Sequence, residues 1–158
     1  MRAVPTDRRG QILGVTLLRR PADFGLLMTL GNLNPERSPA TTADKLMWFQ
    51  AAVAVRPNNS AARNNLGVYL GDKGNADGAI ACYQEAIRLD PNNARAHNNL
   101  GFALSAKGDA DGAIAEYREA IRIDPKNPLR KEALDTALKL KAERDAKVAP
   151  PPRAVTRP

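Results

Sequence analysis

Side chains suited to catalysis are scarce in this sequence, which holds one histidine, His97, and one cysteine, Cys82. Alone, they make neither a set of metal ligands nor an intramolecular disulfide. No Gly-rich phosphate loop, nucleophile–base pairing or kinase-type signature accompanies them, so the sequence predicts a protein without enzymatic activity, cofactor or metal. What recurs instead is the carboxamide: Asn64 and Asn65 return 34 positions later as Asn98 and Asn99. An amide both donates and accepts, so a row of them can pair with a peptide backbone whatever its side chains. Arg95 offers a cation to an acidic group, and Val68 and Phe102, three residues past Asn65 and Asn99, offer apolar contact. These seven are the candidate peptide-binding residues. The Asn pairs equally admit a structural reading, in which one amide of each bonds to a loop or backbone group between neighbouring units.

The elements that would hold such a row follow from self-similarity. Shifting the sequence by 34 positions lays 60–93 on 94–127 with 22 of the 34 residues identical. A fixed period of this length is the mark of a solenoid. Within a unit, Leu66 and Leu70, then Ile80, Tyr83, Ala86 and Ile87, recur at three- and four-residue steps on either side of Gly74. That spacing predicts two amphipathic helices joined by a tight turn. Gly74 and Gly108 suit a left-handed residue closing the first helix, and Asn75 and Asp109 suit the cap of the second. Asp77 and Asp111 then fall in the first turn, where the helix dipole favours an anion, a helix-end role rather than general acid chemistry. Pro91 and Pro125 end the second helix, and Asn127 with Pro128 opens another.

Composition agrees with an all-α fold: 27 of the 158 residues are alanine, while aromatics make up only 4%. The net charge of +7 lies in the flanks. Residues 1–25 carry an excess of three positive charges, 126–158 an excess of five, and 26–125 a deficit of one. A near-neutral centre is no phosphate-binding surface, which argues against nucleic acid as the partner. The apolar run 12–18 is too short to insert in a membrane and lacks a small-residue cleavage pattern, so the expected setting is the cytoplasm.

These units resemble the tetratricopeptide repeat family, whose 34-residue hairpin carries Leu-Gly, Ala, an aromatic, Ala and Pro at set offsets. The matching residues are Leu66-Gly67, Ala79, Tyr83, Ala86 and Pro91, then Leu100-Gly101, Ala113, Tyr117, Ala120 and Pro125. The resemblance implies a short right-handed α-solenoid of antiparallel hairpins that binds a protein or peptide on its inner surface, as a scaffold or adaptor. An Asn just before Leu-Gly is similar to the asparagine ladder of the O-linked N-acetylglucosamine transferase repeats, which puts the role first on Asn65 and Asn99. Where the family has an aromatic four residues into the unit, this sequence has Arg63 and His97. The carboxylate clamp of some members is not expected, because Asn64 and Val68 stand where a Lys and an Asn belong.

Upstream, Phe49, Ala52 and Pro57 lie 34 residues before Tyr83, Ala86 and Pro91. This predicts a degenerate hairpin over 22–59, with helices near 22–33 and 41–55. Downstream, Leu129, Ala133, Leu134, Ala137 and Leu138 predict a capping helix over 128–146. Segments 1–21 and 147–158, the latter Pro-rich, are expected to be disordered. A broken leading repeat also suits the C-terminal accessory region of a larger protein, since bacterial serine/threonine kinases carry similar repeats after the catalytic domain. Weak self-association through the open N-terminal end is the remaining alternative.

Overall fold

The computed structural model describes residues 23–32 and 42–148, which form seven helices: α1 (Phe24–Gly31), α2 (Thr42–Val55), α3 (Ser60–Asp72), α4 (Ala76–Leu89), α5 (Ala94–Ala106), α6 (Ala110–Ile123) and α7 (Pro128–Val148). The expectations for 1–21 and for the tail beyond Val148 lie outside the described residues. The terminal helix runs two residues past the expected 146.

Helix boundaries follow the local chemistry. Oδ1 of Asn59, Asn75, Asn93 and Asp109 each accepts the free N–H three residues on, at 2.9–3.0 Å. Asp23 does the same for α1, and Asn127 accepts from Leu129 at the start of α7. The first helix of each full unit ends on a glycine with positive φ, Gly74 at 78° and Gly108 at 84°. The N–H of the following residue then reaches back to Leu70 or Leu104 at 2.9 and 3.0 Å. This is the left-handed closure that only glycine adopts without strain.

Neighbouring helices in sequence pack as antiparallel hairpins, α1 on α2, α3 on α4 and α5 on α6, and each second helix also packs on the next first helix. Along the stack, α3 touches α5 and α5 touches α7, a closer approach than the second helices make to one another. That inequality curves the stack with α3, α5 and α7 on its inner side.

The core is a series of small clusters at the joints. Leu27, Ala52 and Ala62 close the first joint, Ala79, Tyr83, Leu100 and Ala103 the next, and Ala113, Ile114, Tyr117 and Ala137 the last. Within each of the two full repeats a tyrosine ring lies on a glycine. A Cβ on Gly67 would sit 2.6 Å from the Tyr83 ring, and one on Gly101 would sit 2.9 Å from the Tyr117 ring and 3.2 Å from the carbonyl of Ala113. Desolvation here pushes the Tyr83 phenol up to about 12, with Asp72 and Cys82 adding to the shift.

Only part of the apolar stripe expected on α7 is used. Ala137 is buried and Ala133 and Leu134 are half-buried against the preceding hairpin, while Leu129 and Leu138 are exposed. Among the described residues this helix has a neighbour on one side only, so the stripe it buries is narrower than the one the sequence offers. Polar latches complete the joint. Arg130, buried, bonds through Nη1 to the Asp124 carbonyl at 3.0 Å and to its carboxylate. Lys141 pairs with Asp111 as Lys107 pairs with Asp77, one unit earlier.

Two consequences are measurable. Gly101→Ala is expected to lose about 1–3 kcal/mol in urea melts, because the new methyl meets a ring and a backbone carbonyl. Gly71→Ala, in open contact at 3.7 Å from Ala79, should instead gain up to about 1 kcal/mol from helix propensity. The hydrogen bond to Arg130 holds the Asp124 carboxyl below the usual range. A group that binds its proton more weakly when folded stabilises above its unfolded value, near 4, and that contribution is lost as pH falls. Melting temperature should therefore drop less on acidification in Arg130→Ala than in the unaltered protein.

Candidate functional site: the inner face of the repeats

Three of the four repeated asparagines, Asn64, Asn65 and Asn99, form a connected row in which the side-chain partner of each is another amide. Asn99 Nδ2 donates to Asn64 Oδ1 at 2.9 Å, across the joint between α5 and α3. Asn64 Nδ2 donates to Asn65 Oδ1, and Asn65 Nδ2 to Asn32 Oδ1 just past α1, both at 3.3 Å. Asn64 is 2% exposed, so an unpaired amide there would be costly, and the network removes that cost. Asn65 and Asn99 are half-buried and keep unused hydrogen-bonding capacity; Asn98, also half-buried, forms no hydrogen bond among the described residues.

Next to the row, the position four residues into each unit shows how one site was filled in two ways. His97, 7% exposed, has Nδ1 2.6 Å from Glu116 Oε2 and Nε2 3.1 Å from the Pro91 carbonyl. A carbonyl only accepts, so Nε2 is the donor to Pro91, and Nδ1 is the ring's contact with Glu116. The imidazole thereby ties α5 to α6 and to the loop before it. In the preceding unit the same places hold Arg63 and Cys82. A thiol is a poor acceptor, and Arg63 Nε is buried without a partner among the described residues. Burial pushes the Cys82 thiol up, with Arg63 pulling the other way, so this half-buried sulfur is mostly protonated near neutral pH.

A cleft of about 380 Å³ opens where the N-terminal ends of α3, α5 and α7 meet, lined by Asn64, Asn65, Asp90, Asn92, Arg95 and Arg130 among others. Asn64, Asn65 and Arg95 of the seven candidates are thus brought together. Val68, Asn98, Asn99 and Phe102 lie outside that lining. Val68 and Phe102 occupy equivalent places on α3 and α5 and face solvent, at 38% and 71% exposure. Asn92 and Arg130 were not among the sequence candidates. Arg130 had one readable signal, a basic residue in the first turn of the last helix, where Ala96 and Ala62 stand one and two units earlier.

Among the described residues no group of three or more His, Cys, Asp or Glu side chains is placed to share a metal ion, and no helix is long and apolar enough to cross a membrane.

With this geometry in hand, comparison with known proteins is informative. The family profile described as "TPR repeat" matches residues 70–108, and the one described as "Tetratricopeptide repeat" matches 94–127. No curated protein matches the sequence. Among solved structures, a crystal structure of MamA superposes with a TM-score of 0.72 at 24% identity, covering 86% of this chain and 78% of that one. A second MamA structure gives 0.73 at 24% identity, covering 87% and 74%. The Arabidopsis OM64 TPR domain gives 0.59 at 19% identity, covering 62% and 81%. At these identities the structures establish a shared fold of stacked helical hairpins.

The contrast between the two units yields a test. Cys82→Glu supplies Arg63 with the acceptor that His97 finds in Glu116, and is expected to raise stability by about 1 kcal/mol in thermal or urea melts. An unchanged or lower melting temperature would show that Arg63 is already satisfied by solvent.

Proposed function

This chain is a tetratricopeptide-repeat protein, of a family whose repeats generally mediate protein–protein interaction and are generally non-catalytic, and we propose that it acts as a scaffold or adaptor that holds an extended peptide segment on its inner face. The observation that carries this reading is the pair Val68 and Phe102. The described chain buries its other aromatic rings wholly or in part, yet leaves Phe102 at 71% exposure on the inner layer, with Val68 at 38% at the same register one unit away. Solvent-facing apolar groups beside a polar cleft are the ingredients of a binding groove rather than of a core.

Spacing supports the same reading. Adjacent inner helices lie roughly 8–10 Å apart, and an extended strand rises about 3.3 Å per residue, so one unit of the stack spans about three residues of a bound peptide. Asn98, without a hydrogen bond among the described residues, and the spare capacity of Asn65 and Asn99 suit the peptide groups in between. Ligand side chains would meet Val68, Phe102 and Arg95. Since the asparagine row also joins the units, part of its energy goes to holding the groove in shape before anything binds, which lowers the ordering cost of binding.

Panning a displayed library of random dodecapeptides on the full chain tests this. Enriched peptides should lose at least about tenfold in affinity to Phe102→Ser or Val68→Ser, with little change in melting temperature, because both side chains are exposed. Met47→Ser, at an exposed position on α2, should leave binding intact. Peptides that bind all three variants equally would place the binding face elsewhere.

A further inference from the structure

The inner face of α5 carries a stripe whose chemistry specifies more than a generic peptide. Arg95, Asn98 and Phe102 follow one another at three- and four-residue steps, so they share a face of the helix and span about 10.5 Å along it. None of the three is committed elsewhere in the described structure. Arg95 is exposed and forms no ion pair, Asn98 forms no hydrogen bond, and Phe102 is the most exposed of the large apolar side chains. The other charged groups of the neighbouring cleft are occupied: Arg130 is held by Asp124, and Asp90 Oδ1 accepts from the Asn92 N–H at 3.1 Å. A guanidinium left without a partner at one end of a groove, and a bare ring at the other, are complementary to a carboxylate and a bulky apolar side chain.

Resting on the peptide-binding reading above, we propose that the partner segment carries an acidic side chain at Arg95 and a large apolar side chain at Phe102. Asn98, between them, pairs with a peptide group of the intervening backbone and so demands no particular residue there. Val68, one unit away on α3, walls the apolar site on its far side. The acid is a side chain rather than a chain terminus. A terminal carboxylate is held by several converging donors, whereas Arg95 stands alone at the groove edge with Asp90 as its acidic neighbour on the cleft.

The groove selects for this pattern because the alternatives leave something unmade. A basic residue opposite Arg95 is repelled, and a polar one opposite Phe102 forfeits the apolar contact. Neither anchor is used in folding, so specificity here is separable from stability.

Peptides enriched by panning, resynthesised with acetylated N-termini and amidated C-termini, test the proposal by fluorescence anisotropy. The enriched set should share an Asp or Glu and, at a constant spacing from it, a Leu, Met, Phe or Trp. Arg95→Glu should weaken them about fivefold to tenfold, and changing the peptide's acid to Lys should restore affinity for Arg95→Glu while weakening binding to the unaltered chain. Enriched peptides that lose affinity to Phe102→Ser but show no shared acid, or are indifferent to Arg95→Glu, would overturn the proposal and leave the groove reading intact. Peptides indifferent to Phe102→Ser and Val68→Ser, or no enriched peptides at all, would overturn both.

Discussion

The approach of a tyrosine ring to a glycine inside each of the two full repeats is the contact on which the rest is built. Gly67 under Tyr83 and Gly101 under Tyr117 let the two helices of a unit close to a distance that any Cβ would prevent. The ring's other face meets the next unit, as Tyr83 meets Leu100 and Ala103. One side chain therefore sets both the angle within a hairpin and the spacing between hairpins. Because the same residues recur after 34 positions, the same angle and spacing recur, and the stack curves with a constant sense. The inner groove is a product of that repetition rather than of any single residue in it.

Polar groups then hold neighbouring units in register. Asn93 caps α5 through Oδ1 and, through Nδ2, donates to Ser60 Oγ at 2.6 Å; that hydroxyl passes its own hydrogen to the Ala86 carbonyl at 2.9 Å. The Asn99–Asn64 bond and the Lys107–Asp77 pair join the same two units at other points. The amide bonds lie partly or wholly out of water and are directional, so they specify register. The lysine–aspartate pairs lie on the surface, where solvent and salt screen them, and add less. Such a frame is joined by polar contacts and leaves Val68 and Phe102 open to solvent on its inner helices.

The two full repeats also differ where similarity is least needed for folding. Arg63 and Cys82 in one stand against His97 and Glu116 in the other, and Val68 against Phe102. The first difference is internal and alters how well a buried polar atom is satisfied. The second lies on the solvent-facing side of the inner helices and alters the apolar surface exposed there.

What was legible from residue order alone was whatever depends on local chemistry and period. The helix pairs, the left-handed glycines, the asparagine and aspartate caps and the identity of the repeat all follow from steric and hydrogen-bonding rules that act within a few residues, copied once every 34. What only the tertiary structure decided was how long-range partners divide the same side chains. Nothing in the spacing says that Asn64 would be sealed between units while Asn98, its counterpart, kept its amide unengaged. Nor does it say that Leu129 would face water while Arg130 was drawn in to Asp124. Equivalent positions differ because their units have different neighbours, and a periodic sequence carries no mark of where in the stack each copy will stand.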